Sequence, residues 1–153
     1  MQPRITRVIG AGLIGTLAMT AVGLYVAPMM GMPAMNPADM LASKMGGITS
    51  LGWMAHLMIG VVLAVVYATV FLHRLPGPVI VRGALFSLIP WLMAQTIVIP
   101  MMGMPLFSGS LALAGGSLIG HLVYGAVMGG VAGEGAARAP APAPARQTCA
   151  RTR

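Results

Sequence analysis

The chain has 153 residues, of which 58% are hydrophobic and only 7% charged, and its mean hydropathy is +0.88. Soluble domains usually carry about 25% charged residues, so this composition excludes an ordinary soluble protein. The net charge of +7 would favour nucleic acid as a partner. However, the basic residues flank apolar runs and form no patch, which disfavours nucleic acid.

Four apolar runs dominate the chain and predict four transmembrane helices. They cover about residues 8–27, 51–72, 79–99 and 111–133, and each approaches the ~20 apolar residues that cross a bilayer. The first run follows Arg4 and Arg7, as a secretory signal would, but signals have apolar cores of only about 7–15 residues. We therefore expect a retained helix and an all-α membrane fold, with residues 1–134 as a transmembrane domain surrounded by the lipid bilayer.

The polar stretch after the first span predicts a short helix over about residues 37–45, lying at the membrane surface. Asn36 is a favoured N-cap residue, and Pro37 suits the first helical position. Asp39 lies where the acid of a capping box would. These three residues predict where the helix begins.

Prolines shape the second half of the chain. Pro76 and Pro78 are expected to interrupt the helix between the second and third spans, and Pro90 is expected to kink the third span. Residues 135–153 are rich in Pro, Ala and Arg, which predicts a disordered tail. The only cysteine, Cys149, lies in that tail, so no intrachain disulfide can form.

Two motifs recur along the chain and predict a duplicated unit. The sequence Pro-Met-Met-Gly-Met-Pro occupies residues 28–33 and again residues 100–105, a shift of 72. A His-Leu-x-x-Gly element begins at His56 and again at His121, a shift of 65. We therefore predict a four-helix bundle of two tandem helical-hairpin repeats, over about residues 8–72 and 80–133. An axis along the membrane normal should relate them, because both units enter the membrane from the same side.

Basic residues fall almost entirely on one side of the four-span path. Eight arginines lie before the first span, around the turn between the second and third, or after the fourth, whereas only Lys44 lies on the other side. By the positive-inside rule, this asymmetry places both termini in the cytoplasm. We therefore expect a multi-pass protein of the bacterial inner membrane, with both Met-rich motifs facing outward.

The histidines and the outward-facing methionines are the candidate metal ligands. His56 and His121 each lie in a stripe of small residues at every fourth position, so both should face the bundle interior. Thioether and imidazole together suit soft metals, Cu(I) in particular. Haem is disfavoured, because closely packed helices leave no gap for a macrocycle. The candidate ligands for copper are His56, His121, Met30, Met32, Met102 and Met104.

A structural role is the alternative for both groups of residues. Methionine fills irregular apolar gaps, and Gly31 followed by Pro33 is also a plain helix-stop signal. Each histidine could instead be a neutral ring that is hydrogen-bonded to Thr20, Gln95 or the other histidine. The sequence leaves both alternatives open.

No catalytic signature accompanies these residues, and we expect no enzymatic activity. The chain has only two acids, Asp39 and Glu134, and no Cys-x-x-Cys, phosphate loop or His-Glu-x-x-His motif. Small size and close-packing stripes favour an accessory or assembly subunit, acting as a homo-oligomer or within a larger membrane complex. A Met/His copper-handling protein and a small oligomeric transporter are the alternatives.

The chain resembles a family of small bacterial four-span membrane proteins of unknown function. The resemblance covers about residues 8–133. It lies in the two Met-rich motifs, Asn36-Pro37, Arg82-Gly83, Pro90-Trp91 and residues 120–125. It implies the fold expected above and supplies no activity.

The charge asymmetry generates a topology prediction. A reporter fused after Arg153 should behave as cytoplasmic and one inserted near Ser43 as external, because the basic flanks are retained in the cytoplasm. Paired phosphatase and fluorescent-protein fusions in bacterial cells measure both positions. The reverse pattern would contradict the orientation.

Overall fold

The protein folds as a set of helices, four of them long and apolar enough to cross a membrane. The computed structural model describes residues 4–137, and every regular element in that part of the chain is helical. We number the helices α1 (Ile5–Met29), α2 (Pro37–Lys44), α3 (Thr49–Phe71), α4 (Val79–Met101) and α5 (Leu111–Ala137). The all-α fold class is therefore confirmed. Helix α5 continues to Ala137, and the rest of the predicted tail lies outside the described residues.

The short helix α2 begins as its sequence predicts. The side chain of Asn36 accepts a hydrogen bond from the Ala38 amide at 3.1 Å and donates one to Asp39 at 2.8 Å. Pro37 occupies the first turn, where its missing N–H has no cost. The buried Ala42 packs against Gly52, so α2 lies across the start of α3.

Both Met-rich motifs end their helices by the same hydrogen-bond pattern. Gly31 and Gly103 adopt left-handed φ angles of 78° and 83°. The amide of Met32 donates to Ala27 at 3.1 Å, and the amide of Met104 donates to Ile99 at 3.2 Å. These are Schellman C-caps, which glycine allows because it lacks a Cβ atom. The helix-stop interpretation of the motifs is confirmed.

Widened turns interrupt three of the long helices. One π turn, Tyr67–Phe71, ends α3. The other two, Val22–Val26 in α1 and Ala94–Val98 in α4, each precede a Met-rich motif. In α4 the π turn begins four residues after Pro90, whose ring removes one ladder hydrogen bond. A π turn shifts the face on which later residues lie, so α1 and α4 change face just before their motifs.

The long helices pack in the order α3, α1, α5, α4, with backbone contacts at glycines. A Cβ atom at Gly129 of α5 would lie 2.9 Å from the Cα atom of Gly83 in α4. A Cβ atom at Gly12 of α1 would lie 2.7 Å from the Cα atom of Val61 in α3. The small-residue stripe predicted for α5 therefore faces α4, and the stripe of α3 faces α1.

Helices α3 and α4 meet chiefly at one end of the molecule. There the Phe86 ring lies 5.4 Å from the Tyr67 ring and 5.1 Å from the Phe71 ring, measured between centroids. Val8 and Met128 are buried in the same apolar cluster. We call this the closed end. Toward the opposite end, where the Met-rich motifs lie, α3 and α4 separate.

The glycine contacts generate a stability prediction. Gly129→Leu should destabilise the protein by about 1–3 kcal/mol, because the new side chain would overlap the backbone of α4. Gly115→Leu is the matched control in the same helix, since a Cβ atom there has nothing within 4 Å. Thermal unfolding in detergent measures both variants. Equal melting temperatures for the two variants would contradict close packing at Gly129.

Candidate metal site

A cavity of about 280 Å³ lies between α3 and α4, beyond the closed end. Helices α1 and α5 form its back wall, and α2 contributes Met40 and Leu41. Most of the lining is apolar. The polar side chains in the wall are those of Thr16, His56, Gln95, Ser117, His121 and Tyr124.

His56 reaches the cavity from α3 and is fixed by a chain of hydrogen bonds on α1. Its Nε2 atom lies 3.1 Å from the Thr20 hydroxyl, and that hydroxyl donates to the Thr16 carbonyl at 2.8 Å. Thr20 has one hydroxyl proton, so it must accept from His56. We infer that Nε2 carries the proton and that the Nδ1 atom of the neutral ring has a free lone pair. Only 7% of His56 is exposed, so lipid and solvent do not reach most of it.

His121 reaches the same cavity from α5 with the opposite arrangement. Its Nδ1 atom lies 2.8 Å from the Ser117 carbonyl, one turn earlier in the helix. A carbonyl only accepts, so Nδ1 carries the proton and Nε2 has the lone pair. A hydrogen bond from one ring nitrogen to a carbonyl is the arrangement that orients metal-binding histidines. Each ring is thus held in a single tautomer, and the two tautomers are opposite, so that each ring keeps one nitrogen for a ligand.

Four methionines share the cavity with the two histidines. Met19 comes from α1, Met40 from α2 and Met93 from α4, and Met102 directly follows the end of α4. Thioether sulfur is a soft, uncharged donor. Within residues 4–133, no group of three or more His, Cys, Asp or Glu side chains is placed to hold a metal. Besides the two histidines, the side chains of this lining that can bind a metal are therefore the methionine sulfurs and the neutral oxygens of Thr16, Gln95, Ser117 and Tyr124.

The structure brings only some of the predicted ligands together. His56, His121 and Met102 line the cavity, whereas Met104 lines a second one. Met32 packs on α5, with its Sδ atom 2.8 Å from where a Cβ atom of Gly116 would lie. Met30 is 58% exposed and lines neither cavity.

Three methionines of the first cavity, Met19, Met40 and Met93, are not among the predicted ligands. Met19 carries a signal that was available, since it lies three residues after Thr16 and four before Gly23, on the small-residue face of α1. Met93 carries none, because it lies within the apolar residues 88–94, and it is 52% exposed in the structure. Its position depends on how that helix packs.

A second cavity of about 200 Å³ adjoins the first. Met19, Met40 and Gln95 line both cavities. The second cavity extends toward the Met-rich motifs, where Met35 and Met104 contribute to its wall. Gln95 is held between the two cavities by a hydrogen bond from the Ser108 hydroxyl at 3.2 Å.

Tyr124 fixes the depth of the first cavity. Its hydroxyl donates to the Gly60 carbonyl of α3 at 2.7 Å, and its ring packs where Gly15 leaves room on α1. The hydrogen bond joins α5 to α3 across α1. The Tyr124 end of the cavity is therefore closed by a polar contact between two helices.

Comparison with known proteins places the chain in a family. The model of the family of unknown function DUF6789 matches residues 3–142, which is most of the chain. The chain belongs to this family. The match extends beyond residues 8–133, over which the resemblance was recognised. The chain has no match among curated proteins and none among solved structures.

The hydrogen bonds predict opposite tautomers for the two histidines. In protein with ¹⁵N-labelled histidine, His56 should show a protonated Nε2 and His121 a protonated Nδ1 when both rings are neutral. Thr20→Val should change only His56, because it removes the acceptor of that ring alone. Nitrogen chemical shifts in detergent measure this. One shared tautomer in the native protein, or a change at both rings in Thr20→Val, would contradict the assignment.

Proposed function

We propose that this non-enzymatic integral membrane protein binds a soft monovalent metal ion, Cu(I), in the cavity between α3 and α4. One observation carries the proposal: two histidines and four methionines from five helices line a single cavity. Imidazole and thioether together are a donor set that favours Cu(I). The ion would use the lone pairs that the bonds to Thr20 and Ser117 leave free on the two rings.

The charge of the site favours a monovalent ion. The donors in this cavity, imidazoles, thioethers and a few amide and hydroxyl oxygens, are all neutral, and its lining contains no acidic side chain. The cost of moving an ion into an apolar medium rises with the square of its charge, so a +1 ion costs about one quarter as much as a +2 ion. Among such neutral ligands Zn²⁺ and Cu²⁺ would keep a net charge of +2, whereas Cu(I) would keep only +1.

The cavity distinguishes this function from the other two hypotheses. A subunit that only packs against partners needs no cavity in which two hydrogen-bonded histidine rings lie beside four methionines. Transport would require the ion to leave on the opposite side, where Tyr67, Phe71 and Phe86 pack together at the closed end. We therefore favour binding and handling of the ion, as a homo-oligomer or within a larger membrane complex.

We also propose how the protein is oriented in the membrane. The basic residues favour a bacterial inner membrane location with both termini cytoplasmic, so the cavities would lie toward the outer side.

The two Schellman caps and two of the π turns are each related by the shift of 72 residues that relates the motifs. This regularity supports two tandem hairpins derived from one unit.

Metal titration tests the proposal. Detergent-purified protein should bind one equivalent of Ag(I), a redox-stable analogue of Cu(I), in competition with a soft chelator. His56→Ala and His121→Ala should each weaken binding by about tenfold or more, since even outer-shell partners of a metal change its affinity by 10–100-fold. The double variant should be little weaker than either single one, because residues that form one unit act non-additively.

His73→Ala is the matched control, since His73 lies between α3 and α4 in the chain and lines neither cavity. It should bind Ag(I) as the native protein does. Absence of stoichiometric binding by the native protein would overturn the proposal. Equal effects of His73→Ala and His56→Ala would overturn the site.

A further inference from the structure

The second cavity is not needed to hold an ion at the two histidines, yet it is lined by further methionines. Met35 and Met104 lie in its wall, and both follow the ends of long helices at the motif end of the molecule. Met19 and Met40 line this cavity and also the first. Methionines therefore line both cavities, from the motif end of the molecule to the histidines.

Met35 is held in place by its backbone. Its amide donates to the Gly23 carbonyl at 3.0 Å, in the π turn of α1. Gly23 permits this contact, because a Cβ atom there would overlap the Met35 carbonyl. The Met35 side chain then lies over α5, with its Cε atom 3.4 Å from where a Cβ atom of Gly116 would be. Gly116 itself lines the second cavity.

A monovalent ion cannot cross an apolar cavity without ligands, since the loss of its hydration is too costly. Exchange from one thioether to the next avoids that state, because the ion keeps soft donors at each step. The arrangement supplies such donors in order: Met35 and Met104 in the second cavity, Met19 and Met40 at the shared wall, and the histidines in the first.

From this arrangement we propose that the second cavity is the path by which Cu(I) reaches His56 and His121, with Met35 and Met104 as its first protein ligands. This inference rests on the proposed function. It adds that these two methionines control the rate of loading and not the affinity, because neither lines the cavity that holds the ion.

Loading kinetics test the path. The substitutions Met35→Leu and Met104→Leu conserve side-chain volume and remove sulfur, a swap that apolar cores tolerate well. Combined in one protein, they should slow uptake of Ag(I) from a weak chelator about tenfold or more, the factor expected when a barrier rises by a single lost ligand contact. The equilibrium affinity for Ag(I) should be unchanged. Met93→Leu should do the opposite, lowering affinity.

Met29→Leu with Met101→Leu is the control, since these methionines belong to the same motifs, are 87% and 79% exposed, and line neither cavity. That variant should load at the native rate. If Met35→Leu with Met104→Leu fails to fold, Met35→Gln with Met104→Gln removes sulfur at similar length and should show the same slow loading.

The outcomes separate the two proposals. Native affinity and native loading rate in the folded Met35/Met104 variants would overturn the path and leave the site intact. Slow loading in the Met29/Met101 control would also overturn the path, because it would assign the effect to the surface. Failure of the native protein to bind Ag(I) would overturn both the site and the path.

Discussion

Backbone contact at glycine is the constraint on which the rest of this structure depends. Helices in a bilayer gain little from burying apolar side chains against one another, so close approach of their backbones supplies much of their association. Gly83 and Gly129 bring α4 onto α5, and Gly12 and Gly60 bring α1 onto α3. Because α3 and α4 are each drawn to another helix, they separate from one another toward the motif end. The cavity is the space that this separation leaves.

The polar groups inside the bundle explain how that space is tolerated. An unpaired polar side chain in a bilayer is costly, so each must find a partner. Thr20 pairs with His56, Ser117 with His121, and Ser108 with Gln95. These bonds fix the rings and at the same time leave one nitrogen of each ring unused. The same two histidines therefore form the hydrogen bonds that the fold requires and keep a nitrogen that could bind a ligand.

The duplicated pattern is broken where the cavity forms. In α1, Gly15 receives the ring of Tyr124 from α5. The counterpart of Gly15, 72 residues later, is Ser87 in α4. The counterpart of Tyr124, 65 residues earlier, is Ile59 in α3. Ser87 packs against Gly125 of α5, and Ile59 is 45% exposed and lines the cavity. The interface of α1 with α5 is thus filled by an aromatic ring that donates a hydrogen bond. The corresponding interface of α4 with α3 lacks both the ring and the hydrogen bond, and it stays open.

The sequence by itself determined the number of membrane-length helices, the N-cap of α2 at Asn36 and the glycine caps at Gly31 and Gly103. Each of these depends on residues that are neighbours along the chain, through hydropathy or hydrogen bonds within one turn. The sequence also predicted that both histidines face inward, since small residues recur at every fourth position. Only the tertiary structure decided that Met93 joins the histidines while Met30 lies outside the cavity. The π turns change which face of a helix points inward, and the order of helix pairing decides which helix that face contacts. Neither the π turns nor the pairing order follows from the spacing of residues in the chain.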